Sequence, residues 1–176
     1  PEAAEALGGP IEILVNNAAA AIYQPLADFP LKRRRLIFEV NVHAPADLAQ
    51  AALPAMVEAG EGWIVNVSSG SARGRQAPFP ETALGATIGV YGASKAALNR
   101  LTNAFAEELW GTGVRVNTLE PRNAVRSEGA EALVGGDLGE DLYETMEEMV
   151  AGTLVLCDCP PEMTGGVHVS LDLLGR

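Results

Sequence analysis

Cysteine is nearly absent from this sequence: Cys157 and Cys159, one residue apart, are the only two. Such a pair is too small for a disulfide framework or a zinc site. It reads as two small apolar residues near a helix end, and a cytoplasmic location is expected. Histidine is as scarce, and His43 and His168 lack metal-ligand spacing, so no metal site is expected. Positive charge is also short. Twelve Lys and Arg face 23 Asp and Glu, for a net charge of -11. That balance argues against a nucleic-acid backbone or an anionic membrane as partner. No apolar run reaches about 18 residues, so no membrane-spanning helix is expected. No stretch reads as a signal peptide.

Aromatic residues make up 5% of the chain. What is there instead is small and aliphatic. Apolar residues account for 48% of 176 positions, enough for one domain, residues 1–176, with a sizeable core. Four short runs read as strands: "IEILVNN" (Ile11–Asn17), "GWIVNVSS" (Gly62–Ser69), "GVRVNTLEP" (Gly113–Pro121) and "GGVHVSLDL" (Gly165–Leu173). Strands apolar on both faces belong inside a parallel sheet. Between them, Pro45–Glu58, Tyr91–Trp110 and Asp141–Cys157 carry helical spacing. Pro54 is expected to kink or shorten the first of these. The Lys32–Arg35 charge run reads as a solvated helix face. Alternating strands and helices imply an α/β fold with a parallel sheet, wound through right-handed crossovers. Two long loops, Gly70–Thr87 and Arg122–Gly139, have the length of functional connections.

Lysine is the rarest basic residue. Ten of the twelve cations are arginine, and only Lys32 and Lys95 are lysine. Lys95 stands four residues after Tyr91 in "VYGASK", so the two share a helix face. A tyrosine ionises near pKa ~10. To serve as acid and base near neutrality that value must fall by about 3, worth ~4 kcal/mol. One positive charge about 5 Å away, at an effective dielectric of ~20, supplies ~3 kcal/mol. Arginine carries charge too, but its planar fork cannot place one compact donor group as an ammonium can. Alone, Y-x-x-x-K is a common surface pattern. Here it opens a helix after a strand ending in "NVSS", and ligands bind at the carboxyl ends of such strands.

Six motifs occur in order: "LVNNA" (Leu14–Ala18), "FEVNVHAP" (Phe38–Pro45), "IVNVSS" (Ile64–Ser69), "YGASK" (Tyr91–Lys95), "RVNTLEP" (Arg115–Pro121) and "TGGVHVSLD" (Thr164–Asp172). Together they resemble the short-chain dehydrogenase/reductase family over nearly the whole chain. The resemblance implies a doubly wound Rossmann-like sheet, represented by its C-terminal part in four strands with helices. It implies an oxidoreductase that passes hydride between NAD or NADP and a small alcohol or ketone. It also implies roles. Tyr91 would exchange the proton at the substrate oxygen. Lys95 would lower the tyrosine pKa and hold the nicotinamide ribose. Ser69, or its neighbour Ser68, would polarise the substrate carbonyl. Asn41 would hold a water linking Lys95 to solvent. Asn17 and Ala18 would border the cofactor, and Pro121 and Val125 would meet the nicotinamide amide. A homodimer or homotetramer is implied as well, through the helices at Pro45–Glu58 and Tyr91–Trp110.

Other readings attach to the same residues. Asn16 or Asn17 could tie backbone at a strand end. Asn41 could cap a helix. The chain could be a non-catalytic member kept as an assembly partner, or an epimerase or dehydratase on the same fold. The family's glycine-rich phosphate loop, Thr-Gly-x-x-x-Gly-x-Gly, is not found, so the domain reads as incomplete at its beginning. "SGSARGRQ" (Ser69–Gln76) imitates it but places Gln76 at the third glycine and leads into Pro78. Ala19 and Arg122 stand where glycine is usual, and "PRNAVRS" is one residue long, which leaves the match at Val125 and Ser127 open. Ser69 and Tyr91 are 22 positions apart. That is roughly nine more than the family's usual gap, and added loop length costs little stability. A changed substrate wall is expected.

Overall fold

The computed structural model describes residue 6 and residues 8–79, 83–122, 124–125 and 143–176. Among these, four strands form one parallel sheet in the order β1 (Ile13–Asn16), β2 (Gly62–Val67), β3 (Val114–Glu120) and β6 (Val167–Val169). The register pairs Val15 with Val65, Val65 with Asn117, and Thr118 with Val167. Two further strands, β4 (Ala124–Val125) and β5 (Tyr143–Glu144), make a separate two-stranded parallel ladder.

Helices cover both faces of the sheet. On one side lie α2 (Ala44–Ala59) and α4 (Gly89–Glu108). Ala49, Ala52 and Met56 of α2 and Ala106 of α4 pack there on Ile64, Val114 and Val116. Small alanines let the helices approach the sheet closely. On the other side α5 (Met146–Leu156) places Met149 and Leu156 against Val65 and Leu119. A third cluster joins Phe29, Ile37 of α1 (Leu31–Phe38) and Val90 at the start of α4.

Several expected boundaries move. Helix α2 runs through Pro54 to Ala59, so the proline does not shorten it. Gly60, in the left-handed conformation at φ 71°, ends it instead, as glycine does without steric cost. The third expected helix starts at Met146, where Thr145 and Glu148 form a reciprocal capping box. The last strand stops at Val169, and Ser170–Leu173 turns into a short helix, α6. The first long loop contains a 3-10 turn, Gly70–Ala72, and a short helix, α3 (Ala83–Thr87). Of the second, residues 123 and 126–139 lie outside the described residues, as does Ser127. The Lys32–Arg35 run is exposed, as expected of a solvated face.

Candidate active site

Helix α4 begins beside the carboxyl end of β2, and this junction gathers the expected residues. Gly92 makes the junction possible. It is buried, and a Cβ there would collide with the carbonyl oxygen of Ser71 in the turn that follows β2. Glycine between Tyr91 and Ser94 thus lets the helix rest on the turn. Tyr91 lies half-buried, and the Ser69 side chain acts on its phenol. Ser68, the alternative, is buried with its hydroxyl unpartnered among the described residues.

Lys95 is 2% exposed. Its ammonium donates to the Val67 carbonyl at 2.7 Å and sits 5.8 Å from the centre of the Tyr91 ring. Burial brings its pKa down to about 8. Burial also dominates Tyr91, pushing its pKa up to about 12, with Tyr23 adding to the rise and the Ser69 hydrogen bond opposing it. The expected lowering of Tyr91 by Lys95 is therefore not what this arrangement gives. The cation lies beside the ring, itself desolvated, and loss of water around the phenol outweighs it.

Asn41 occupies a π-helical turn, Glu39–His43, between α1 and α2. It caps neither helix. Its side chain is fully buried, accepts from Ala20 N–H at 2.8 Å, and donates to the Ala20 carbonyl at 2.9 Å and to Ser94 Oγ at 3.0 Å. Ser94 in turn donates to the Tyr91 carbonyl at 2.7 Å. Asn41 is thereby joined to α4 next to Lys95, and it fixes the segment after β1.

The two asparagines ending β1 separate cleanly. Asn16 is buried and donates to Asn66 Oδ1 at 2.8 Å. Asn66 donates to Thr102 Oγ1 at 2.9 Å. Asn17 and Ala18 are exposed at the carboxyl end of the strand. Pro121 lies at the end of β3, close to Gly70. Val125 pairs through β4 with Glu144 and packs on the cluster of Val65 and Leu119, on the sheet face away from α4. Arg122, in place of the usual glycine, pairs with Asp172 and donates to the Arg176 carbonyl at 2.9 Å.

Five further residues complete the arrangement without an obvious signal in the sequence. Tyr23 meets Tyr91 edge-on, ring centres 5.9 Å apart. Ser71 contacts Ser69, and Arg73 forms an ion pair with the buried Glu120 at the end of β3. Ser94 had one faint cue, its place inside the "YGASK" run. His43 is exposed, and His168 hydrogen-bonds Asn117 at 3.2 Å, with burial lowering its pKa. Both cysteines are free thiols raised by burial. The described residues contain no cluster suited to a metal ion and no helix long and apolar enough to cross a membrane.

A parallel sheet wrapped by helices, with Ser, Tyr and Lys at its carboxyl edge, defines the dehydrogenase type of nucleotide-binding fold. The sequence profile of the short chain dehydrogenase family matches residues 2–133, and the chain belongs to that family. It is 31% identical over 178 residues to carbonyl reductase [NADPH] 2 of Sus scrofa, covering 95% of this chain and 69% of that protein. It is 37% identical over 118 residues to ketoacyl reductase HetN of a Nostoc species, covering 67% of this chain. Of that protein's own length the chain spans 38%. Among solved structures, a gluconate 5-dehydrogenase from Burkholderia cenocepacia in complex with NADP and tartrate superposes with a TM-score of 0.82 at 25% identity, covering 96% of this chain and 66% of that one.

Proposed function

We propose that the protein carrying this chain is an NAD- or NADP-dependent oxidoreductase acting on a small alcohol or carbonyl compound. The observation that carries this reading is the convergence of Ser69, Tyr91 and Lys95 where β2 meets α4. Lys95 also supplies the test of whether a nicotinamide nucleotide fits. One N–H of its buried ammonium is used on Val67, and the others make no hydrogen bond to the described residues. A buried charge with donors to spare is costly and suits a neighbouring pair of ribose hydroxyls. Asn17, Ala18, Pro121 and Val125 are proposed to border the same nucleotide. When bound, the nicotinamide supplies or accepts the hydride.

The chain's own groups do the rest. With a pKa of about 12, Tyr91 is protonated at neutral pH, the form that donates to an oxyanion left by hydride addition. Ser69 donates to the same oxygen and stabilises its charge. Lys95, at about 8, is mostly charged at pH 7 and would stabilise the phenolate left when Tyr91 gives up its proton. Asn41 is proposed to anchor the segment through which that proton is replenished.

The test is to incubate the full-length gene product with NADH or NADPH and a panel of ketones and aldehydes, following nicotinamide absorbance. Cofactor binding without carbonyl-dependent oxidation by any compound would sink the reading. A homodimer or homotetramer is proposed as well, since Leu48 and Val57 of α2 stand exposed. Sedimentation of the same protein as a monomer would exclude it.

A further inference from the structure

Ser69 makes more contacts than a lone serine on a strand end would. A hydroxyl oxygen has two lone pairs and one proton. Ser71 addresses both lone pairs: its N–H donates to Ser69 Oγ at 3.2 Å and its hydroxyl donates to the same atom at 3.0 Å. The proton of Ser69 is then what remains for Tyr91 or a substrate oxygen, and the Ser69 side chain lowers the Tyr91 pKa. Accepting two hydrogen bonds also polarises the Ser69 O–H and strengthens it as a donor.

Ser71 is held in place for this by two independent contacts. Its carbonyl rests against Gly92 of α4. Two residues on, Arg73 forms an ion pair with Glu120, which is 1% exposed. The turn Gly70–Ala72 is thus pinned both to the helix that carries Tyr91 and to the end of β3. We propose that Ser71 is a positioning residue that makes Ser69 a fixed donor toward Tyr91 and the substrate oxygen. This rests on the assignment of Ser69 and Tyr91 made above, but the contact itself is tested without turnover.

The groups facing Tyr91 that could affect its ionisation are Tyr23, edge-on at 5.9 Å, and the Lys95 ammonium. Neither touches Ser71 through a described hydrogen bond. The experiment replaces Tyr91 with difluorotyrosine, whose more acidic phenol ionises while the protein stays folded, in the full-length gene product. Ionisation is read by fluorine NMR. Ser71→Ala is expected to raise the midpoint by about half a pH unit, the effect of weakening one hydrogen bond. Ser71→Thr, which keeps the hydroxyl, should leave it in place. In a Ser69→Ala background, Ser71→Ala should have no further effect. With natural Tyr91, Ser71→Ala should lower kcat about five- to tenfold with KM nearly unchanged. Ser71→Cys, close in shape but a poor donor, replaces alanine if that variant does not fold. An unmoved midpoint in Ser71→Ala, or an equal movement without Ser69, overturns the proposal. Absence of turnover with the midpoint moved would overturn the enzymatic reading and leave the role of Ser71 standing.

Discussion

Strands β1 and β3 are written in different letters and meet the reverse of the surroundings those letters suit. β1 reads ILVN, whereas β3, VRVNTLE, sets Val114, Val116 and Leu119 among polar residues. Every residue of β3 is buried, between β2 and β6 in the sheet and between α4 and α5 across it. Along β1, only Asn16 is buried. Ile13 is 45% exposed and Val15 40%. Strand β2 pairs with β1 on one side, and no described strand lies on the other. An apolar pattern therefore records what a strand is suited to, and its neighbours decide what it gets. An open apolar edge is also a template for pairing with another chain.

The largest expected effect lies where β2 and β3 end. Tyr91→Phe removes the proton donor and should lower kcat by at least about a thousandfold, with cofactor binding by calorimetry retained. Next is Leu119→Ala, near the carboxyl end of β3. Leu119 is fully buried against Val65 and Met149, so the change should cost about 3 kcal/mol in chemical denaturation.

Third is the pH dependence of stability. Lys95 is depressed to about 8 from an ordinary 10.5, so the folded protein sheds this proton first as pH rises. Between those values the unfolded state binds more protons, and stability should increase, by about 3 kcal/mol across the window. Tyr91, raised to about 12, works the other way above pH 10, because there the unfolded chain loses the phenolic proton first. Stability should peak near pH 10, and Lys95→Met should flatten the rising limb. The smallest effect belongs to β1. Val15→Thr should change stability by no more than about 0.5 kcal/mol. A cost close to that of Leu119→Ala would mean that β1 is covered on its outer side, and the contrast with β3 would disappear.

The four strands, the helices between them and the shared helix face of Tyr91 and Lys95 were legible because each depends on local periodicity or a short spacing. The roles of Asn16 and Asn17 were not. They are adjacent and chemically identical, and the difference is Asn66 and Thr102, which arrive from positions 50 and 86 residues further along. The pKa of Tyr91 was misjudged for a related reason. Charge spacing can be read from a helix, but the water excluded by Tyr23 and the turn after β2 cannot. Ser71 and the Arg73–Glu120 pair were hidden in a stretch that imitates a phosphate loop in sequence but packs as a turn.

The side-chain relay from Asn16 through Asn66 to Thr102 ends on the Leu98 carbonyl, at 2.9 Å, inside α4. It passes from β1 to its register partner on β2 and on to α4, and stitches the exposed strand to the helix that carries Tyr91 and Lys95. Fraying β1 would strand buried amides in the middle of the fold, at a cost of about 1–3 kcal/mol for each group left unpaired. Strand and helix are consequently expected to open together, which hydrogen exchange would read as matching rates for the amides of β1 and α4.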